Sequence, residues 1–186
     1  MEKPYSLDDY VNDFVQFIKK NKLNKPTVIA HSFGGRVALK TAYLYKNLLG
    51  KIVLTGSAGL KPKFSFKKFI KKWLNKLLKP FLSEKKRQAF YSKDYLMLDS
   101  VMKESFIKIV NEHLDYTLSS IENECLIING TKDKETPIYM AKRLNKGLKN
   151  SKMILIKDAG HFSFIDNPAY FNREVREFLL SKNYVS

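Results

Sequence analysis

Four short apolar runs, separated by segments with helical periodicity, constrain the fold of this chain more than any other feature. The runs are TVIA (27–30), KIVLTG (51–56), ECLIING (124–130) and KMILIKDAG (152–160). Helical spacing of apolar residues is found over 7–19, 33–49, 141–148 and 168–180. Short strands that do not alternate polar with apolar residues, separated by helices, are typical of a parallel sheet buried on both faces. The sequence therefore predicts an α/β fold.

One long segment departs from this alternation. Residues 60–122 have a helical pattern and lie between the second and third predicted strands. We therefore predict an α/β core made of residues 1–59 and 123–186, and an inserted helical cap or lid made of residues 60–122.

The segment AHSFGG (30–35) places Ser32 between the first predicted strand and a helix. A strand that turns at once into a helix forces its turn residue to positive φ and requires small neighbours, here Ala30, Gly34 and Gly35. Such a turn would aim the Ser32 hydroxyl away from the sheet. The alternative is that Ser32 only caps the helix, since serine is a favoured N-cap. The segment is no dinucleotide or phosphate loop, because the glycine spacing and the lysine of those motifs are absent.

Two further residues follow later strands in the order that a serine nucleophile needs. Asp133 lies in NGTKDKETP, directly after the third predicted strand, and His161 lies in DAGHFSF, directly after the fourth. Parallel strands end at a common edge, where open α/β sheets bind their ligands. A serine hydroxyl needs a base, and the base needs an orienting acid. Ser32, His161 and Asp133 are therefore candidates for a catalytic triad.

With these motifs the sequence resembles the α/β-hydrolase fold family, most closely its cap-bearing esterase and C–C-bond hydrolase branch. The motifs that carry the resemblance are AHSFGG, GTKDKETP and DAGHFSFIDNP. The resemblance implies an α/β-hydrolase fold in which Ser32 is the nucleophile, His161 the general base and acid, and Asp133 the orienting carboxylate. It also implies a small ester-like substrate and neither a metal nor an organic cofactor.

Several other polar residues lie near these candidates and have other expected roles. Glu135 is an alternative orienting acid, two residues from Asp133. Asp158 and Asp166 are expected in a loop and at a helix start, His31 as a packed or hydrogen-bonding neighbour, and His113 on the surface or the lid. Cys125 lies in an apolar run and is expected to be a buried structural thiol.

The oxyanion of an acyl-transfer intermediate needs two donors. The resemblance gives one, the backbone N–H of Phe33, and places the other in a loop before the first helix. We expect an N-terminally incomplete hydrolase fold, either a fragment or a naturally shortened member, with reduced activity. Strand 27–30 is then expected to be an exposed edge through which the protein self-associates. The alternative function is that of a non-catalytic binding or lipid-associated module.

The charge of the chain is concentrated in one segment. Of the formal net charge of +16, residues 61–93 carry +11, with twelve Lys or Arg and one acid, Glu84. Within it, residues 64–82 have a basic amphipathic pattern, which predicts a cap helix and a weak contact with anionic membranes. No nucleic-acid recognition motif accompanies the charge. The amino terminus lacks the apolar region of a signal peptide, so we expect a soluble, cytoplasmic protein.

Overall fold

The computed structural model describes residues 3–63 and 97–181. The helices of these residues are α1 (Leu7–Lys20), α2 (Phe33–Leu44), α3 (Ser100–Asn111), a 3₁₀ helix (Asp115–Ser120), α4 (Ile138–Gly147), the short α5 (Ser163–Asp166) and α6 (Pro168–Leu180). The strands are β1 (Val28–His31), β2 (Ile52–Thr55), β3 (Cys125–Gly130) and β4 (Ser151–Ile156).

The four strands form one parallel sheet in the order β1-β2-β3-β4. All four therefore end at the same edge, as predicted. The register pairs His31 with Thr55 and Thr55 with Ile128, so the last residues of β1 and β2 lie side by side at that edge. The parallel sheet flanked by helices confirms the predicted fold class.

Both faces of β2 and β3 are buried, which explains why these two strands do not alternate, whereas the outer strands β1 and β4 are partly exposed. On β2, Ile52 and Leu54 pack with the helices of one face, whereas Val53 packs with α6 on the other. Cys125 at the start of β3 is fully buried, and this burial raises the pKa of its thiol to about 12. The predicted structural role of this cysteine is confirmed.

The helices before and after β1 begin where the sequence predicts, α1 at Leu7 and α2 at Phe33. At the start of α1, Ser6 and Asp9 form a capping box, in which each side chain accepts a hydrogen bond from the other residue's backbone N–H. The helix predicted over 33–49 is too long, because α2 ends at Leu44 and not at Leu49. Asn47 has a φ of 65°, and the resulting turn brings Leu49 into the core.

The end of the predicted insertion, residues 114–121, packs directly on the core. After α3, the side chains of Leu114, Leu118 and Ile121 join the larger hydrophobic cluster beneath α2. The basic amphipathic segment 64–82 lies outside the described residues, so the proposed cap helix and membrane contact stay predictions. None of the helices in the described ranges is long and apolar enough to cross a membrane.

Candidate active site

Ser32 occupies a sharp turn between β1 and α2. Its φ of 49° and ψ of −110° lie in a region that non-glycine residues rarely adopt. The turn is held by its backbone: Ser32 N–H donates to the carbonyl of Thr55 at 3.1 Å, and its own carbonyl accepts from Ala58 N–H at 3.0 Å. The Ser32 side chain makes no capping hydrogen bond to the helix. The simple N-cap alternative is therefore wrong.

Gly35 allows α2 to approach the end of β2. A Cβ atom added at Gly35 would lie 1.9 Å from the hydroxyl oxygen of Ser57 and 2.9 Å from its Cβ. By contrast, a Cβ atom at Gly34 would meet only the Ala30 Cβ, at an ordinary 3.8 Å. The need for a small residue is thus strong at Gly35 and weak at Gly34.

The loops after β3 and β4 bring Asp133 and His161 together. Nδ1 of His161 donates to Oδ2 of Asp133 over 2.9 Å, and both side chains are buried. Asp133 is fixed in turn by Thr136, whose hydroxyl donates to Oδ2 at 2.7 Å and whose backbone N–H donates to Oδ1 at 2.8 Å. The backbone N–H of Glu135 donates to the same Oδ1 at 2.9 Å.

These contacts keep Asp133 ionised. Burial by itself raises the pKa of the Asp133 carboxyl, but the hydrogen bonds from Thr136 and His161 outweigh it and lower that pKa below its ordinary value. A carboxylate that accepts the Nδ1 proton leaves Nε2 as the ring nitrogen that can exchange a proton with a substrate or nucleophile. The arrangement favours Asp133 over Glu135 as the orienting acid.

Nε2 of His161 points to a different carboxylate. It lies 3.3 Å from Oε2 of Glu135, a side chain that is 68% exposed. Between the described residues there is no hydrogen bond from Ser32 to His161. The structure thus brings two of the three predicted triad residues into contact and places the third, Ser32, at the same sheet edge without a direct bond.

His31 and Asp158 lie where the sequence predicted them, whereas Asp166, predicted at a helix start, is the last residue of α5. His31 lies beside His161, with ring centroids 4.6 Å apart and its Nε2 3.2 Å from the His161 carbonyl oxygen. Asp158 adopts a φ of 61° in the loop after β4 and pairs with Lys132. Asp166 accepts a hydrogen bond from Gly160 N–H, which fixes the loop before His161.

Ser32 opens onto a cavity of about 340 Å³ between α2 and α3. Its walls are largely apolar, with Met102, Phe106 and Ile109 supplied by α3. Phe33 also lines the cavity, and its backbone N–H is one of the first donors of α2, which have no acceptor within a helix. This position fits the predicted oxyanion donor.

Two residues of the site were missed at the sequence level. Thr136 lies three residues after Asp133, a spacing at which a side chain can bond back to a turn. Arg36 follows Ser32 by one helical turn, which places it on the same face of α2, and it lines the Ser32 cavity. Both signals are present in the sequence, but neither is specific.

Known proteins resemble this chain along most of its length. A model of the alpha/beta hydrolase fold matches residues 1–85, and a model described as TAP-like protein matches residues 108–184. The uncharacterized hydrolase YugF of Bacillus subtilis (strain 168) is 21% identical over 200 residues, covering 94% of this chain and 72% of the relative. The 2-hydroxy-6-oxononadienedioate/2-hydroxy-6-oxononatrienedioate hydrolase 1 of Pseudomonas putida is 26% identical, covering 87% of this chain and 65% of the relative.

Solved structures share the fold. The esterase EaEST from Exiguobacterium antarcticum superposes with a TM-score of 0.73 at 22% sequence identity, covering 96% of this chain and 75% of the esterase.

Proposed function

Because this chain belongs to the α/β-hydrolase fold family, we propose that it is a serine hydrolase that cleaves an ester or related carbonyl compound through an acyl-serine intermediate. The observation that carries the proposal is the conformation of Ser32. It has a φ of 49° at the end of β1, its hydroxyl does not cap α2, and it opens onto a cavity. Backbone strain of this kind is concentrated at functional sites.

In the proposed reaction each residue of the site has a defined chemical role. Ser32 Oγ attacks the substrate carbonyl while its proton passes to Nε2 of His161, and the oxyanion that forms accepts the N–H of Phe33. His161 then returns the proton to the leaving alcohol as its C–O bond breaks. Water, deprotonated by the same nitrogen, then attacks the acyl carbon, and the bond from this carbon to Ser32 Oγ breaks as the proton returns to Oγ, which releases the acid. Asp133 stays ionised throughout and holds the Nδ1 proton.

The reaction requires His161 to change its partner. Nε2 contacts Glu135 in this structure, so the ring or the Glu135 side chain has to move before Nε2 can take the proton of Ser32. Since Glu135 is largely exposed, water can replace it at small cost. This contact is also the observation that favours the alternative function, a non-catalytic hydrolase-fold protein that binds ligands or lipid.

The cavity indicates the class of substrate. Its volume of about 340 Å³ and its apolar α3 wall suit a small or medium ester with an apolar part. The esterase and the hydrolases that resemble this chain support hydrolysis as the reaction class.

Hydrolysis of a p-nitrophenyl ester tests the proposal. We expect turnover of p-nitrophenyl hexanoate by the wild-type chain, and a loss of about 10³-fold or more in Ser32→Ala and in His161→Ala. Lys108→Gln, which removes an exposed charge of α3 outside the lining of the Ser32 cavity, is the matched control and retains turnover. Turnover that is equal in the wild type and in Ser32→Ala would contradict the proposal and favour the binding module.

A further inference from the structure

A second cavity lies beside the Ser32 cavity and shares a wall with it. It has a volume of about 290 Å³, and Arg36, Ala58 and Val110 line both cavities. The second cavity differs from the first in being lined by several polar residues, among them His113, Glu135 and Thr136. Arg36 is therefore common to the apolar cavity of Ser32 and to the more polar second cavity.

Arg36 brings a buried positive charge to this wall. Only 8% of the residue is exposed. Its Nη1 donates to the backbone carbonyls of Ile109 at 3.0 Å and Glu112 at 2.6 Å. The Glu112 carboxylate bonds to Lys40, which also pairs with Asp8, so the nearby acids are already engaged. In the ranges 3–63 and 97–181 no carboxylate contacts Arg36, and its Nη2 and Nε donors are unused. The charge of Glu112 acts on Arg36 without a direct bond, and a buried guanidinium with no bonded carboxylate is costly.

His113 supplies an independent sign that this cavity binds a polar ligand. Its Nδ1 is buried and has no hydrogen-bond partner within the described part of the chain. An unpaired buried polar atom costs free energy and calls for an explanation. His113 lines the same cavity as Arg36, so one ligand group can bond to both side chains once the His113 ring turns to expose Nδ1.

We propose that the substrate is an ester whose acyl chain ends in a carboxylate, and that this carboxylate binds between Arg36 and His113. The inference rests on the proposed function, because it places the other end of the chain at Ser32. A carboxylate accepts several hydrogen bonds and matches the planar guanidinium. Glu135 also lines the cavity, but its carboxylate faces His161 and is mostly solvated, so it leaves the Arg36 donors available.

Two esters of equal chain length test the proposal. They are mono-p-nitrophenyl adipate, which ends in a carboxylate, and p-nitrophenyl hexanoate, which ends in a methyl group. We expect the wild type to have a kcat/KM about tenfold to hundredfold higher for the adipate, mainly through a lower KM. Arg36→Gln and His113→Phe should lower kcat/KM for the adipate towards the value for the hexanoate, so that the preference is lost. Lys108→Gln removes an exposed charge of α3 that lines neither cavity and should keep the preference.

A binding measurement separates the subsite from catalysis. Monomethyl adipate should bind Ser32→Ala in isothermal titration calorimetry, with an affinity at least about tenfold higher than in Ser32→Ala combined with His113→Phe. Arg36 ties α2 to the end of α3, so the His113 variant carries the test if Arg36→Gln does not fold.

The outcomes distinguish the two proposals. Equal kcat/KM for the two esters, with turnover that depends on Ser32, overturns the carboxylate subsite alone. Turnover of neither ester overturns the proposed function, and the binding measurement then decides the subsite: equal affinity in the two variants overturns it.

Discussion

At the scale of single residues, the state of Asp133 depends on Thr136. The Thr136 hydroxyl and backbone N–H both donate to the carboxylate, and with His161 they lower its pKa despite burial. A group with a lowered pKa in the folded state stabilises the fold above its unfolded pKa, and this stabilisation is lost as pH falls through the folded pKa. Thr136 therefore contributes to stability in a pH-dependent way.

Replacement of Thr136 by valine tests this. We expect Thr136→Val to reduce the free energy of unfolding at neutral pH by about 1–3 kcal/mol, since a buried carboxylate loses a donor. The difference from the wild type should shrink as pH falls below 3.8, the ordinary carboxyl value, because Asp133 then becomes protonated in both. Urea unfolding followed by circular dichroism measures both quantities. Thr136→Ser keeps the hydroxyl and serves as control. A loss that stays constant with pH would show that Thr136 acts by packing alone.

The sequence predicted the residues of the site better than their contacts. Asp133 and His161 were found from their places after β3 and β4, because topology alone brings strand ends together. The contact between His161 and Glu135 was not foreseen, since Glu135 was weighed only as a rival to Asp133. Which carboxylate meets which nitrogen depends on side-chain rotamers, and no spacing in the sequence encodes them.

At the scale of secondary-structure elements, the β1–α2 turn depends on one glycine of the pair that follows Ser32. Gly35→Ala would place a methyl group 1.9 Å from the Ser57 hydroxyl, so α2 or the loop after β2 has to shift. At Gly34 the added methyl group would meet the Ala30 Cβ at 3.8 Å, an ordinary contact. The two glycines thus form a matched pair within one helical turn.

We expect Gly35→Ala to reduce the free energy of unfolding by about 1–3 kcal/mol, the usual cost of overpacking. Gly34→Ala should be neutral or stabilising by up to about 1 kcal/mol, because alanine is the better helix former. Chemical denaturation of the two variants and the wild type provides the comparison. Equal stability of the two variants would contradict the close approach of α2 to Ser57.

The starts of α1 and α6 were predicted more closely than the end of α2, whereas α4 begins at Ile138, three residues before its predicted start. Ser6 and the Pro168 that opens α6 mark helix starts through side-chain and ring chemistry that is readable in the sequence. The early end of α2 has no comparable signal. The chain turns at Asn47 so that Leu49 can enter the core, which is a demand of tertiary packing and not of local propensity.

At the scale of the whole molecule, β1 is an edge of the sheet. It pairs with β2 on one side, and no other strand of the described residues pairs with it. Ile29 at its centre is 55% exposed, and an apolar groove of about 350 Å³ runs beside the strand. Exposed apolar edges favour pairing with another chain. We therefore propose that a second copy of the protein pairs with β1.

A lysine on the edge tests self-association. The mass measured by light scattering after size-exclusion chromatography should rise with concentration for the wild type and stay at the monomer value for Ile29→Lys. Leu180→Lys places the same charge on another exposed apolar position, 73% exposed at the end of α6, and should behave as the wild type. A wild-type chain that stays monomeric at every concentration would contradict the proposal.

The central claim, that Ser32 is an activated nucleophile, is tested most directly by covalent labelling. A fluorophosphonate probe reacts with serine hydroxyls that a base has activated, and mass spectrometry of the peptides locates the adduct. We predict a single adduct on Ser32, strongly reduced in His161→Ala and absent in Ser32→Ala. Folded protein that is not labelled at all, or that is labelled equally in Ser32→Ala, would contradict the claim.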